Sequence, residues 1–178
     1  MKLEQIGKTI KFRLVEISDA EFINSLRVDG KYNKYLSKVT GSVKDQKEWI
    51  KKYKEKEKSG IEYYFIIEKI ADKTPIGTVR LYDFASVKGS FSWGSWILNE
   101  NKTRLSAVES AMLVYELAFR TLQFSKCHFE VRKENKGVIT FHKKMGAQII
   151  EENEIEYFFN LNKKNYINFY NEKKHFIE

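Results

Sequence analysis

The sequence predicts an α/β domain in which an antiparallel run of strands is followed by a buried helix, and three observations predict it. The strand signals Ile61 to Glu68, Ile76 to Phe84 and Phe91 to Leu98 follow closely on one another. Their connections, Asp72-Lys-Thr-Pro75 and Ser86-Val-Lys-Gly89, carry the turn chemistry of a meander. From Ser106 to about Gln123, Val108, Ala111, Met112, Tyr115, Phe119 and Leu122 recur at helical spacing. Leu113, Val114, Leu117 and Ala118 fill much of that helix's remaining surface, so it is expected to be buried. Finally, Cys127 to Arg132 reads as another strand, and Asn135 to Met145 as a short helix ended by Gly146.

The remaining elements follow in order. Thr9 to Val15 alternates Ile10, Phe12 and Leu14 on one face, the pattern of a half-buried strand. Ser18-Asp-Ala-Glu21 reads as a capping box opening a helix that carries Phe22, Ile23 and Leu26 and ends at Asp29-Gly30. After a polar connection from Tyr32 to Thr40, Ser42 and Asp45 open a second helix bearing Trp49, Ile50 and Tyr53, stopped by Gly60. A polar loop, Asn99 to Arg104, precedes the buried helix, whose start reads as a capping box of Ser106 and Glu109. Strands are expected at Gln148 to Ile150 and Ile155 to Leu161. A last helix is expected in the tail from Asn162, where Tyr166, Phe169 and Tyr170 share a face.

The 178 residues suit a single domain, 1–178, and 42% hydrophobic with 15% aromatic content argues for a packed core. No apolar run approaches the roughly 20 residues that cross a bilayer, so no membrane association is expected. The first eight residues lack the apolar stretch of a signal peptide, and a cytoplasmic protein is expected. Cys127 is the single cysteine and reads as a buried structural thiol. The net charge of +8 suits an anionic partner. Lysines alternate with glutamates from Lys51 to Lys58, however, as on a solvated helix face, and no nucleic-acid motif appears, which disfavours nucleic acid as a partner.

Few residues carry chemistry by their type alone. A strand feeding an exposed helix N-terminus is a potential phosphate site, and Lys102 and Arg104 stand beside it. Gly94 interrupts an aromatic strand and marks a bulge, a close approach or a simple bend. His142 lies at the margin of an apolar helix face, either as an acid or relay or as a hydrogen-bonded filler. Asn135 suits a helix cap. Three histidines and one cysteine show no zinc-ligand spacing, and no metal is expected.

Asn135, Val138, Ile139, Phe141, His142, Met145 and Gly146 match the late motif of the GNAT superfamily, which the sequence resembles over nearly its whole length. Lys102, Leu105 and Ala107 align with that family's pyrophosphate loop, with Leu105 in place of its first glycine, and Glu109 falls on a glutamate common in the ribosomal-protein and sugar-amine branches. The resemblance implies a mixed, mostly antiparallel central sheet with helices on both faces. It implies acetyl-coenzyme A as co-substrate and direct acetyl transfer to a primary amine. Coenzyme contacts would fall on Ile97, Leu98, Lys102, Thr103, Arg104, Leu105, Ser106, Ala107 and Asn135, with the coenzyme arm in a splay between the fourth and fifth family strands. His142 stands where the family has a tyrosine and would protonate the leaving thiolate, while Arg27, Tyr35 and Tyr82 would line the acceptor pocket. Tyr82, Asp83, Glu100 and water remain open as the general base. The segments around Leu26-Arg27, Gln46/Trp49 and Phe141-His-Lys-Lys-Met-Gly146 look most like the branch acting on amino sugars on nucleotide carriers. The alternatives are a protein N-terminal acetyltransferase of the ribosomal-protein type and a non-catalytic acyl-coenzyme A-binding domain. A monomer or homodimer is expected.

Overall fold

A computed structural model describes residues 3–32, 41–84 and 89–178; Tyr35, expected at the acceptor pocket, lies outside them. Eight strands form one sheet in the order β1-β2-β3-β4-β5-β6-β8-β7. They are β1 (Gln5–Ile6), β2 (Ile10–Leu14), β3 (Tyr63–Lys69), β4 (Pro75–Tyr82), β5 (Ser90–Leu98), β6 (Lys126–Arg132), β7 (Gln148–Glu152) and β8 (Glu156–Asn162). Every pairing is antiparallel except β5 with β6. The helices are α1 (Ala20–Val28), α2 (Val43–Lys58), α3 (Ser106–Glu116), α4 (Lys136–Lys144) and α5 (Lys163–Lys173).

The side-chain alternation of β3 divides the interior. Tyr63, Phe65 and Ile67 join the larger core, built with Met112 and Tyr115 of α3, Ile139 of α4 and Tyr166 of α5. Tyr64 and Ile66 point the other way, into a smaller core with Ile23 of α1 and Ile50 and Tyr53 of α2. A strand whose successive residues are buried on both faces reads as a continuous apolar run, which is why Tyr63 to Ile67 shows no polar alternation. Helices therefore cover both faces of the sheet. Cys127 is buried in the larger core, where burial pushes its thiol pKa well up and keeps it unreactive. Among the described residues no helix is long and apolar enough to cross a membrane.

Two expected capping boxes do not form. Ahead of α1, the Asp19 carboxylate accepts from the Glu16 amide at 2.7 Å and takes the Arg13 guanidinium bidentately at 2.7 and 2.8 Å, so the helix starts after Asp19 and not from Ser18. A two-point charge-assisted pair outweighs a single neutral cap. At α3, Ser106 lies inside the first turn and the Glu109 side chain leaves its own helix altogether. The Ser42 and Asp45 box of α2 is present, with Asp45 accepting from the Ser42 amide at 2.8 Å. α3 is shorter than its apolar periodicity suggests: it widens into a π turn over Leu117–Thr121. The short strand β1 has too few residues to leave a sequence signal.

Candidate active site

The ladder between β4 and β5 runs in register at Gly77 with Leu98 and Thr78 with Ile97, then resumes at Arg80 with Gly94. Val79 thus faces two residues, Ser95 and Trp96, which is a β-bulge. Ser95 takes the left-handed conformation, φ 47°, and its carbonyl accepts from the Thr78 hydroxyl at 2.7 Å. The Trp96 indole N–H donates to Ser110 Oγ of α3 at 3.0 Å, so the bulge is tied to the sheet on one side and to a helix on the other. Gly94 borders this bulge and also a close approach, since a Cβ there would lie 3.1 Å from the Tyr82 hydroxyl.

β5 and β6 pair only at Ser90 with Lys126 and Phe91 with Cys127, then part. The opening is a cleft of about 380 Å³ lined by Gly94, Ser95, Trp96, Phe129, Asn135 and His142, with Glu130 and Glu156 also on its walls. Asn135 caps α4, its side chain accepting from the Val138 amide at 3.4 Å, and lines the cleft as well. His142 is only 4% exposed, with its ring centroid 4.4 Å from that of Phe129 and 5.5 Å from that of Trp93. Its Nδ1 is buried without a hydrogen-bond partner among the described residues. Burial disfavours the imidazolium and lowers the pKa to about 4, so the ring is neutral at neutral pH.

A second pocket, about 300 Å³, lies beside the bulge against α1 and α2, lined by Asn24, Arg27, Gln46, Trp49, Arg80 and Ser95 among others. Ser95 lines both hollows, so the bulge is their shared wall. Tyr64 is also part of the second pocket, its buried hydroxyl near Thr78 and Arg27, and the Asn24 Oδ1 is buried without a partner among the described residues. Burial pushes the Tyr64 phenol pKa up. A buried polar atom such as the Asn24 Oδ1 costs about 1–3 kcal/mol when left unpaired, which marks the pocket as a place where a polar ligand would be gripped. Arg80 lies between the rings of Trp49 and Tyr82, 5.2 Å from each centroid, and its Nε–H donates to the buried Glu62 carboxylate.

The loop before α3 stands at the far end of β5. Lys102 and Arg104 are exposed, Thr103, Leu105 and Ala107 half-buried, and Ser106 buried. Leu105 has φ −94° and ψ −14°, a conformation open to any L residue, so the missing glycine brings no backbone strain. Ile97 and Leu98 are held in the β4 ladder just before this loop.

The structure thus brings His142, Asn135 and Gly94 to one cleft, and Arg27 to the adjoining pocket. Tyr82 reaches that pocket only through Arg80. Asp83 pairs with His128 Nε2 at 2.9 Å, while His128 Nδ1 lies 2.6 Å from Ser90 Oγ. Glu100 bonds the Tyr32 hydroxyl and lies 3.6 Å from Lys31, in a separate hollow near the end of α1. Sequence reasoning missed Ser95, Asn24, Tyr64 and Glu130. Only the neighbouring Gly94 hinted at Ser95, because a serine at positive φ leaves no mark in a strand-like run.

Comparisons with known proteins bear on this geometry. The profile of the Acetyltransferase (GNAT) domain matches residues 9–148. The structure titled "Apo FdhC- a nucleotide-linked sugar GNAT" superposes with a TM-score of 0.93 at 50% identity, covering 100% of both chains. Spermidine N-acetyltransferase from Vibrio cholerae, in complex with CoA and spermine, gives 0.75 at 18% identity, over 89% of this chain and 98% of that one. Ribosomal-protein-S5-alanine acetyltransferase from Vibrio fischeri gives 0.79 at 14%, over 93% and 99%, and these two more distant likenesses show the fold alone. Comparison with curated proteins finds no match.

Proposed function

The chain belongs to the GNAT acetyltransferase family, and from that premise we propose that it transfers an acetyl group from acetyl-coenzyme A to a primary amine on a nucleotide-linked sugar. The observation that carries the reaction is the pair of hollows meeting at Ser95. A cleft opened by parting strands suits the thin arm of a coenzyme, and a polar-lined pocket beside it suits an acceptor. The sugar acceptor is supported by the half-identical relative named for such a substrate, and by the unpaired Asn24 Oδ1, which matches hydroxyl- or amine-bearing ligands.

The residues fit the coenzyme: a splay beyond Phe91, the unpartnered His142 Nδ1 in the cleft, and an eleven-residue helix whose first turn opens at Ser106. Bound acetyl-coenzyme A supplies the thioester, whose acetyl carbon bonds the amine nitrogen as its bond to sulfur breaks, one proton passing overall from nitrogen to sulfur. The bulge at Ser95 and Trp96 holds a backbone amide out of the ladder to bond the thioester carbonyl. Lys102 and Arg104 draw the phosphates to the α3 N-terminus. His142, neutral at rest, offers an N–H hydrogen bond to the departing sulfur, and the growing negative charge there favours the ring's protonated form. Water takes the proton from the amine.

A panel of amine acceptors incubated with acetyl-coenzyme A and read by mass spectrometry tests this reading. Nucleotide-linked amino sugars are expected to gain one acetyl group, and spermidine and a peptide amine to gain none. Acetylation confined to the peptide would replace the acceptor class.

A further inference from the structure

Glu109 is fully buried in the first turn of α3, yet it serves no cap of its own helix. Its carboxylate crosses to the start of β2, where Oε1 accepts from the amides of Thr9 and Ile10 at 2.6 and 3.2 Å and Oε2 accepts from the Thr9 hydroxyl at 2.6 Å. The turn between β1 and β2 closes over it: a Cβ on Gly7 would run into Oε1 and force the carboxylate to shift. The Gly7 amide meanwhile donates to the Ile10 carbonyl at 2.9 Å and holds that turn shut.

A chain of hydroxyls continues outward. Having given its proton to Glu109, Thr9 Oγ1 acts as acceptor, and the Thr103 hydroxyl lies 2.9 Å away to donate. Thr103 Oγ1 in turn lies 2.9 Å from Ser106 Oγ, and Ser106 Oγ accepts from the Thr103 amide at 2.9 Å. Each donor direction follows from the acceptor-only carboxylate at the inner end. The outer end is the loop from Lys102 to Ala107 that opens α3. Across this turn the Ser106 amide donates to the Thr103 carbonyl at 3.3 Å and the Glu109 amide to the Leu105 carbonyl at 2.9 Å, so the relay and the backbone fix the same loop.

We propose that Glu109 is a positioning residue that presets the coenzyme-binding loop through the Thr9–Thr103–Ser106 relay. The inference rests on the acetyl-coenzyme A reading above. The carboxylate itself touches no ligand. A bare carboxylate beneath a phosphate site would repel phosphate, whereas this one is covered by three donors and acts only by fixing the loop.

Thr9→Val tests it, since the change removes one hydroxyl and leaves both amides on Glu109. Calorimetry with coenzyme A should give a Kd raised about tenfold, the scale of one lost hydrogen bond. KM for acetyl-coenzyme A should rise with kcat little changed, the Thr103 amide should exchange faster with solvent by NMR, and Thr9→Ser should restore all three. Thr9→Ala, which removes the same hydroxyl without the branched bulk of valine, should weaken coenzyme A binding likewise, so that misfolding of one variant leaves the other to decide. Wild-type affinity together with wild-type Thr103 protection in Thr9→Val would overturn the inference. The wild-type titration separates the two claims: a wild type that binds no coenzyme A overturns the donor reading, and the relay's role with it.

Discussion

At His142, position and protonation pull in different directions. The ring lines the cleft, but burial holds it neutral, so a proposed role must rest on a hydrogen bond and not on a resting positive charge. If that bond steadies the departing sulfur, His142→Ala should lower kcat by about a hundredfold and leave coenzyme A affinity intact, while His142→Tyr should keep much of the activity. A packing role alone would instead lower the melting temperature with kcat unchanged. Linkage adds a second readout. The folded pKa of about 4 lies below the ordinary 6.5, so between these values the unfolded chain binds a proton that the folded chain refuses. This contribution is full above about pH 6.5 and is lost as pH falls toward 4, by up to about 3 kcal/mol. Melting curves of His142→Gln should therefore fall less steeply with pH over that window than those of the wild type.

Among the elements, α3 and the bulged part of β5 act as one unit. Ser110 Oγ accepts from the Trp96 indole at 3.0 Å and donates to the Ala107 carbonyl at 3.2 Å, so a single hydroxyl joins the wall between the two hollows to the first turn of α3. Ser110→Ala leaves a partly buried indole N–H unpaired, a cost of about 1–3 kcal/mol. In a chain of this size each kcal/mol moves the melting temperature by about 2–4 °C, so a drop of several degrees should appear in calorimetry, with a raised acceptor KM. An unchanged melting temperature would show that the bulge holds itself, through Thr78 and Ser95 alone. Glu109 ties the same helix to β2, which makes α3 the element on which both the loop and the bulge depend.

At the scale of the whole molecule the net charge of +8 is not gathered in one block, and along α2 the lysines are paired. Lys51 with Glu48, Lys54 with Glu57 and Lys58 with Glu55 lie along α2 at 2.7 to 2.8 Å, as the alternating sequence implied. Duplex DNA is therefore expected to bind weakly, with affinity falling steeply as salt rises; submicromolar, sequence-selective binding at physiological salt would contradict this. The sequence by itself determined the order of the longer elements, because periodicities of 2 and 3.6 are local properties of the chain, visible in Ile10 to Leu14 and Val108 to Leu122. It also marked out Asn135 to Gly146, whose cap and terminal glycine are local too. Only the tertiary structure decided where side chains went once partners distant in sequence competed for them. Glu109 left its predicted cap because two amides and a hydroxyl about a hundred residues away offered three bonds in a buried site, and the expected box of Ser18 and Glu21 gave way to an Asp19 carboxylate shared between the Glu16 amide and Arg13. The parting of β5 from β6, the slip that sets Ser95 between two hollows, and the burial that neutralises His142 are likewise products of packing between distant segments, and no local pattern records them.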